Sequence, residues 1–411
     1  MAVGTPYHVI YKIPVRVTAI VAALTVESSV DLFLKPSFQR NYANLIPAET
    51  ALRTALFFPG HGVQRVGMAS SWVEKFPKIS NRFLDEMDSI LGFKLSHTIS
   101  EGPNSELDKT ENCQPAIMAT SILILRILEE EFGFMTSSRV SVTLGHSLGE
   151  FSALVAGGYL AFSDALKLVR RRAEIMSECT RDATKRSGDE FGMIALVCEP
   201  EHMSELLSTI YDFIGLGPST LKDDSSQWYK AFQQVMVANI NSRNQIVLSG
   251  NIAKIKDLLI QLRQFGGHDP RAVRLRCESP FHSPIMIPAA NYMKSALEHM
   301  NINFPARMPC ISNVSGLPFK SKEELRVLLS QQCVDTVKWW DSIRYLDQTH
   351  AVTRWIGIGP GKVGRNLVGK EVGKVMVKGG GVWSISDPLE IANVLSALDK
   401  TESDTSHDRK G

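Results

Sequence analysis

The feature that most limits the fold is an alternation of short apolar runs with helix-period segments, broken once in mid-chain. Ala55–Phe58 is an apolar run closed by Pro59-Gly60, a strand and its turn. Gln114–Phe132 has helical spacing, with Pro115 placed for a first turn. Val140–Leu144 has strand character, and Leu148–Ala156 predicts a helix stopped by Gly157-Gly158. Ser163-Asp164 predict the cap of a long helix reaching about Cys179. Strands then crowd together at Met193–Val197, Val235–Asn239, Ile246–Leu248 and Val273–Leu275, with helices near 201–211 and 252–264. Residues 212–230, with Gly215, Gly217, Pro218 and Asp223-Asp224-Ser225-Ser226, read as a loop. After His282 a helix near 285–299, a strand at 309–312 and an apolar run at Arg354–Ile358 resume the alternation. The pattern predicts a parallel α/β core over 52–190 and 278–400, interrupted by an α+β insert over 191–277 with its own antiparallel sheet and two helices on one face.

Several function classes drop out. With 45 basic against 43 acidic residues the net charge is +2, which argues against a general nucleic-acid binder. No stretch approaches the roughly 18 apolar residues of a membrane span. The six cysteines form no CxxC pair and the ten histidines no HExxH or HxH pattern, so no sequence-local metal motif is present. The scattered cysteines fit a reducing compartment. Gly359–Gly364 formally fits GxGxxG, but no βαβ unit follows it, and it lacks the first glycine and the Ser/Thr of a phosphate-binding loop.

The two ends differ from the middle. Residues 1–26 hold Lys12 and Arg16 and no acid, and Arg40-Asn41-Tyr42-Ala43 places an arginine and an aromatic before a small residue. A basic, acid-free start of this kind predicts a mitochondrial transit peptide over 1–42 and a matrix location, with a frayed terminus and a secretory signal as the alternative readings. Residues 402–411 are mostly charged and polar and read as a flexible tail.

The strongest chemical signal is Gly145-His146-Ser147-Leu148-Gly149 between a strand and a helix. On such a turn the serine hydroxyl is exposed at the start of a helix, and the next amide can meet an oxyanion. A serine nucleophile needs a base, and His282 in Ser279-Pro280-Phe281-His282-Ser283-Pro284 is framed by two prolines. Arg172 is the third candidate. At 100° per residue, Ala165, Leu168, Val169, Ile175 and Met176 fall within about 60° of it, whereas Arg170 and Arg171 point elsewhere. A guanidinium on an apolar stripe needs an anionic partner, either a ligand carboxylate or a structural Asp or Glu.

A resemblance then covers residues 52–400. Phe58–Gln64, Gln114-Pro115-Ala116, Gly145–Leu154, Ala165–Met176, Asn239–Ser242, the Phe281-His282 loop and Gly359–Val363 together resemble malonyl-CoA:acyl carrier protein transacylase, in order and spacing. The resemblance implies an α/β hydrolase-like core with an inserted ferredoxin-like subdomain. It implies transfer of malonyl from malonyl-CoA to the phosphopantetheine thiol of acyl carrier protein through a malonyl-serine intermediate, for fatty acid synthesis. No metal or bound cofactor is implied beyond the CoA thioester substrate. Residue by residue, Ser147 is the acylated nucleophile and His282 its base, with Nδ1 oriented by the backbone carbonyl of Gln332. Arg172 holds the malonyl carboxylate, Gln114 and Asn241 line the site, and the backbone amides of His61 and Leu148 form the oxyanion hole. The family usually has Gln at position 61 and a common Thr at Cys113; Phe281 is shared with related domains that choose malonyl. The alternatives are a serine esterase or thioesterase of α/β-hydrolase type, against which no HGGG motif or third acidic member is evident, and a non-catalytic scaffold.

Overall fold

The computed structural model describes residues 53–215, 235–373 and 380–407; the expected leader over 1–42 lies outside them, as does the expected loop from residue 216 onward. Five strands form one sheet: β1 (Arg53–Phe58), β2 (Val142–Gly145), β7 (Cys310–Ile311), β8 (Val352–Ile358) and β9 (Gly381–Ile385). Their order is β7-β2-β1-β8-β9 and every pairing is parallel. A parallel sheet is covered on both faces, so its central strands are apolar throughout. In β1, Leu56 and Phe58 enter the main core, while Ala55 and Phe57 enter a smaller one with Trp339, Trp355 and Val368. Helices α1 (Thr110–Phe132), α2 (Gly149–Ala156) and α3 (Phe162–Ser187) supply much of the main core.

The four middle strands form a separate antiparallel sheet, in the order β4-β5-β3-β6: β3 (Phe191–Val197), β4 (Val235–Ser242), β5 (Gln245–Asn251) and β6 (Arg271–Arg274). Side chains alternate across it. Ile194, Leu196, Ile246 and Leu248 face α4 (Met203–Phe213) and α5 (Ile252–Gln264), while Met193, Ala195 and Val247 join the main core. One parallel bridge joins β4 to the chain at Val337. The Val337 N–H donates to the Ala238 carbonyl at 2.8 Å, and the Ile240 N–H to the Val337 carbonyl at 3.0 Å.

Local differences from the sequence reading have physical causes. Helix α1 begins at Thr110, so Pro115 lies inside it rather than in its first turn. Proline has no N–H for the carbonyl four residues back; Arg170 Nη1 donates to that Glu111 carbonyl at 2.7 Å. Helix α3 starts at Phe162 with no side-chain cap and runs two turns beyond Cys179, stopping at Gly188 with φ 74°. Its last turns are polar and carry no apolar stripe to read. Strand β9 had no separate sequence signal, and the final helix, Ile391–His407, extends into the segment read as a tail. Among the described residues no helix is long and apolar enough to cross a membrane.

Candidate active site

The nucleophile elbow is a steric construction. A Cβ on Gly145 would lie 1.9 Å from the Gly149 carbonyl, and one on Gly149 would lie 2.4 Å from the Phe58 carbonyl oxygen. Between them Ser147 sits at φ 51°, a left-handed conformation that a non-glycine residue keeps only when its surroundings impose it. Here the surroundings do so with hydrogen bonds. Asn313 Oδ1 accepts the Ser147 N–H at 2.6 Å, and Asn313 Nδ2 donates to the Gly145 carbonyl at 2.7 Å. The Ser147 carbonyl accepts Gln332 Nε2 at 2.7 Å.

His282, buried and likewise in the left-handed region at φ 59°, meets this serine. Ser147 Oγ lies 2.8 Å from His282 Nε2, and His282 Nδ1 lies 2.7 Å from the Gln332 carbonyl oxygen. Gln332 caps the end of helix α6 (Lys322–Gln331), where carbonyls have no partner within the helix. A carbonyl only accepts, so Nδ1 carries the imidazole proton and Nε2 offers its lone pair to the serine hydroxyl. Burial first, and then the Arg172 cation, pull the His282 pKa down to about 3, so the resting imidazole is neutral. Its loop is pinned through Ser279, whose hydroxyl meets Thr110 at 3.3 Å and Thr180 at 3.0 Å.

Arg172 is 1% exposed. Nη1 donates to Gln114 Oε1 at 2.6 Å and Nη2 to Gln332 Oε1 at 2.8 Å. The guanidinium carbon lies 5.3 Å from the Phe151 ring, and the Nε–H has no acceptor. Among the described residues no carboxylate pairs with it, so a structural salt bridge does not account for its burial. A buried cation held by two neutral amide oxygens, with a donor unspent, suits a carboxylate ligand.

The remaining site residues divide. Gln114 sits on Arg172. The hydrogen bonds of Asn241 go to His146 Nε2 at 2.8 Å and Gln245 at 3.3 Å, so it braces the residue before the nucleophile. Among the described residues the backbone N–H groups of His61 and Leu148 are given no acceptor, so both can donate to an oxyanion. The half-buried His61 ring lies 5.3 Å from the Phe281 ring, with Nδ1 3.0 Å from Cys113 Sγ. Burial lowers its pKa to about 4. The two positions that depart from the resemblance therefore touch each other. Sequence reasoning missed Asn313, Glu150 and the side chain of Gln332. Glu150 stood in plain view, three residues after the nucleophile; Asn313 had only a turn-rich setting after a short strand.

Comparisons with known proteins follow the same line. Residues 56–200 match the acyl transferase domain model. The malonyl CoA-acyl carrier protein transacylase of Bacillus subtilis (strain 168) is 36% identical over 352 residues, 86% of this chain and 99% of that protein. The chain belongs to the malonyl CoA-acyl carrier protein transacylase family. Among solved structures, an acyl-carrier-protein-S-malonyltransferase from Bartonella henselae matches with a TM-score of 0.68 and 31% identity, over 85% of this chain and 100% of that one. A malonyl-transacylase in complex with its type II PKS acyl-carrier protein matches with a TM-score of 0.67 and 26% identity, over 85% of this chain and 99% of that one. Family membership makes the chain an acyltransferase, and the parallel sheet with its separate antiparallel sheet is the architecture it shares with these relatives.

Proposed function

We infer that the protein transfers malonyl from malonyl-CoA to the phosphopantetheine thiol of acyl carrier protein, through a malonyl-Ser147 intermediate, and so supplies fatty acid synthesis. The observation that carries this reading is Arg172, a buried guanidinium with no acidic partner among the described residues, beside a serine–histidine pair. In the first half, Arg172 and Gln114 seat the malonyl carboxylate. His282 Nε2 takes the Ser147 proton as Oγ attacks the thioester carbonyl, and the N–H groups of His61 and Leu148 receive the oxyanion. The C–S bond breaks and the departing CoA sulfur takes the proton from His282. In the second half the carrier's thiol gives its proton to His282, its sulfur attacks the malonyl ester, and Ser147 Oγ leaves with the proton. A substrate carboxylate also offsets the Arg172 charge that depresses His282, which strengthens the base when the acyl group is seated.

The same reading extends to organisation. The order β3-α4-β4-β5-α5-β6, with two helices on one face, supports a ferredoxin-like insert over 191–277, within an α/β hydrolase-like core over 52–190 and 278–400. The acid-free start and Arg40–Ala43 support removal of 1–42 and a matrix location. No resident cofactor or metal enters the scheme. The esterase alternative has less support, because His282 Nδ1 meets a backbone carbonyl where an esterase triad has a carboxylate. The test is mass spectrometry after mixing with malonyl-CoA. A malonyl increment on the Ser147 peptide, absent from Ser147→Ala, is expected; stoichiometric labelling of the alanine variant would remove the nucleophile assignment.

A further inference from the structure

One carboxylate lies beneath the site and takes no part in the transfer just described. Glu150 stands on the first turn of α2 and is fully buried. Its Oε1 accepts the Asn313 backbone N–H at 3.2 Å and its Oε2 accepts Gln332 Nε2 at 2.8 Å. Gln332 Nε2 donates a second time, to the Ser147 carbonyl. A glutamine amide has two N–H donors and one carbonyl oxygen. Both donors of Gln332 are taken on the elbow side, which leaves Oε1 facing Arg172 Nη2. The sequence of groups across the site is carboxylate, amide, guanidinium.

We propose that Glu150 is the positioning residue for the carboxylate-reading arginine: by holding the amide of Gln332 in one orientation it aims the Arg172 fork. The proposal rests on malonyl transfer being the reaction. A carboxylate in direct contact with Arg172 would occupy the N–H groups that a substrate carboxylate needs. With the carboxyl group at one remove, the immediate partners of the cation are neutral oxygens that an incoming anion outcompetes. The chemistry at position 150 is specific. Asn313 N–H and Gln332 Nε2 both donate to this side chain, so both of its oxygens must accept. A glutamine there has to turn its NH2 toward one of them, donor against donor, and the displaced amide at 332 no longer presents Oε1 squarely to Arg172. Burial pushes the Glu150 carboxyl up to about 8, against the pull of Gln332, Asn313 and Arg172.

Glu150→Gln keeps the shape and removes the second acceptor. Loading of Ser147 from malonyl-CoA and from acetyl-CoA is measured side by side, together with the thermal midpoint. The malonyl-to-acetyl ratio of kcat/KM is expected to fall about tenfold or more, with the malonyl loss carried mainly by KM. Gln332→Leu cuts the relay at its middle while keeping the backbone carbonyl on His282, and is expected to lower the same ratio. An unchanged ratio in either folded variant overturns the proposal. So does an equal loss on both substrates, which would make Glu150 a support of the elbow alone. Failure of the malonyl reading itself is distinguishable: the wild-type enzyme would then load acetyl as readily as malonyl, before any variant is made.

Discussion

Three consecutive arginines on α3 meet three different fates, and the contrast between its two faces explains the site. On the outer face, Arg170 Nε pairs with Glu174 at 2.7 Å and Arg171 Nη1 with the same carboxylate at 3.0 Å. Arg170 also holds the carbonyl that Pro115 leaves without a donor. On the inner face, Arg172 is buried against Phe151 and donates to the amide oxygens of Gln114 and Gln332. Exposed arginines with carboxylates close by contribute little, because water and ions screen them. A buried arginine denied a direct carboxylate is a different object, since its desolvation is offset by amide dipoles, one of them oriented by Glu150. Stability alone would favour a close ion pair at that position. The amides keep the fork open for a ligand.

Breaking the contrast from the inside gives the largest effect. Arg172→Ala is expected to remove about 2–4 kcal/mol of malonyl binding in the transition state, roughly 30- to 1000-fold in kcat/KM. Acetyl loading should hold steady or rise, because acetyl has no carboxylate to lose. Arg172→Lys should recover little, since a point charge does not reproduce the two-pronged fork. Equal loss on both substrates, with a lower thermal midpoint, would return Arg172 to a structural role. Breaking the contrast from the outside gives a small effect in the same assay. Arg171→Ala, with its half-exposed pairs to Glu174 and Glu178, should change stability by at most about 1 kcal/mol and leave the malonyl-to-acetyl ratio within about twofold.

The smallest effect concerns pH. With its pKa near 3, His282 stays neutral and able to accept a proton throughout the weakly acidic range. Acetyl-CoA loading, whose kcat/KM reports the free enzyme, should therefore be nearly flat from about pH 8 to about pH 5. A histidine at the ordinary value of about 6.5 would lose about 30-fold by pH 5. In Arg172→Ala one depressing charge is gone, so the acid limb should move toward neutrality. An acid limb near pH 6.5 in the wild type would show that the free enzyme does not hold His282 dry and beside the cation.

Much of this site is legible in the sequence because each part leaves a local mark. The elbow needs two glycines for steric reasons, His282 is framed by prolines, and the helical period alone separates Arg172 from its neighbours. The alternation of strand and helix likewise exposes both sheets, since buried strands must be apolar. What escapes are partners supplied by distant chain. Asn313 meets the elbow across 166 residues and Gln332 meets Ser147 across 185. Their roles depend on which amide oxygen faces which donor, and no local pattern encodes that. Asn241 illustrates the same limit: its place near the elbow follows from the strand that carries it, while its actual partner, His146, follows from packing. The polar final turns of α3 were unreadable because a solvated helix face has no stripe, only its stop at Gly188.

The central claim is that this pocket reads a carboxylate before it reacts. Its most direct test is a competition: the wild-type protein is mixed with equimolar malonyl-CoA and acetyl-CoA, quenched within one turnover, and the Ser147 peptide is weighed. Malonyl-Ser147 should predominate in the wild type and give way to acetyl-Ser147 in Arg172→Ala. Equal malonyl and acetyl occupancy in the wild type, or a malonyl excess that survives the loss of Arg172, would contradict the account.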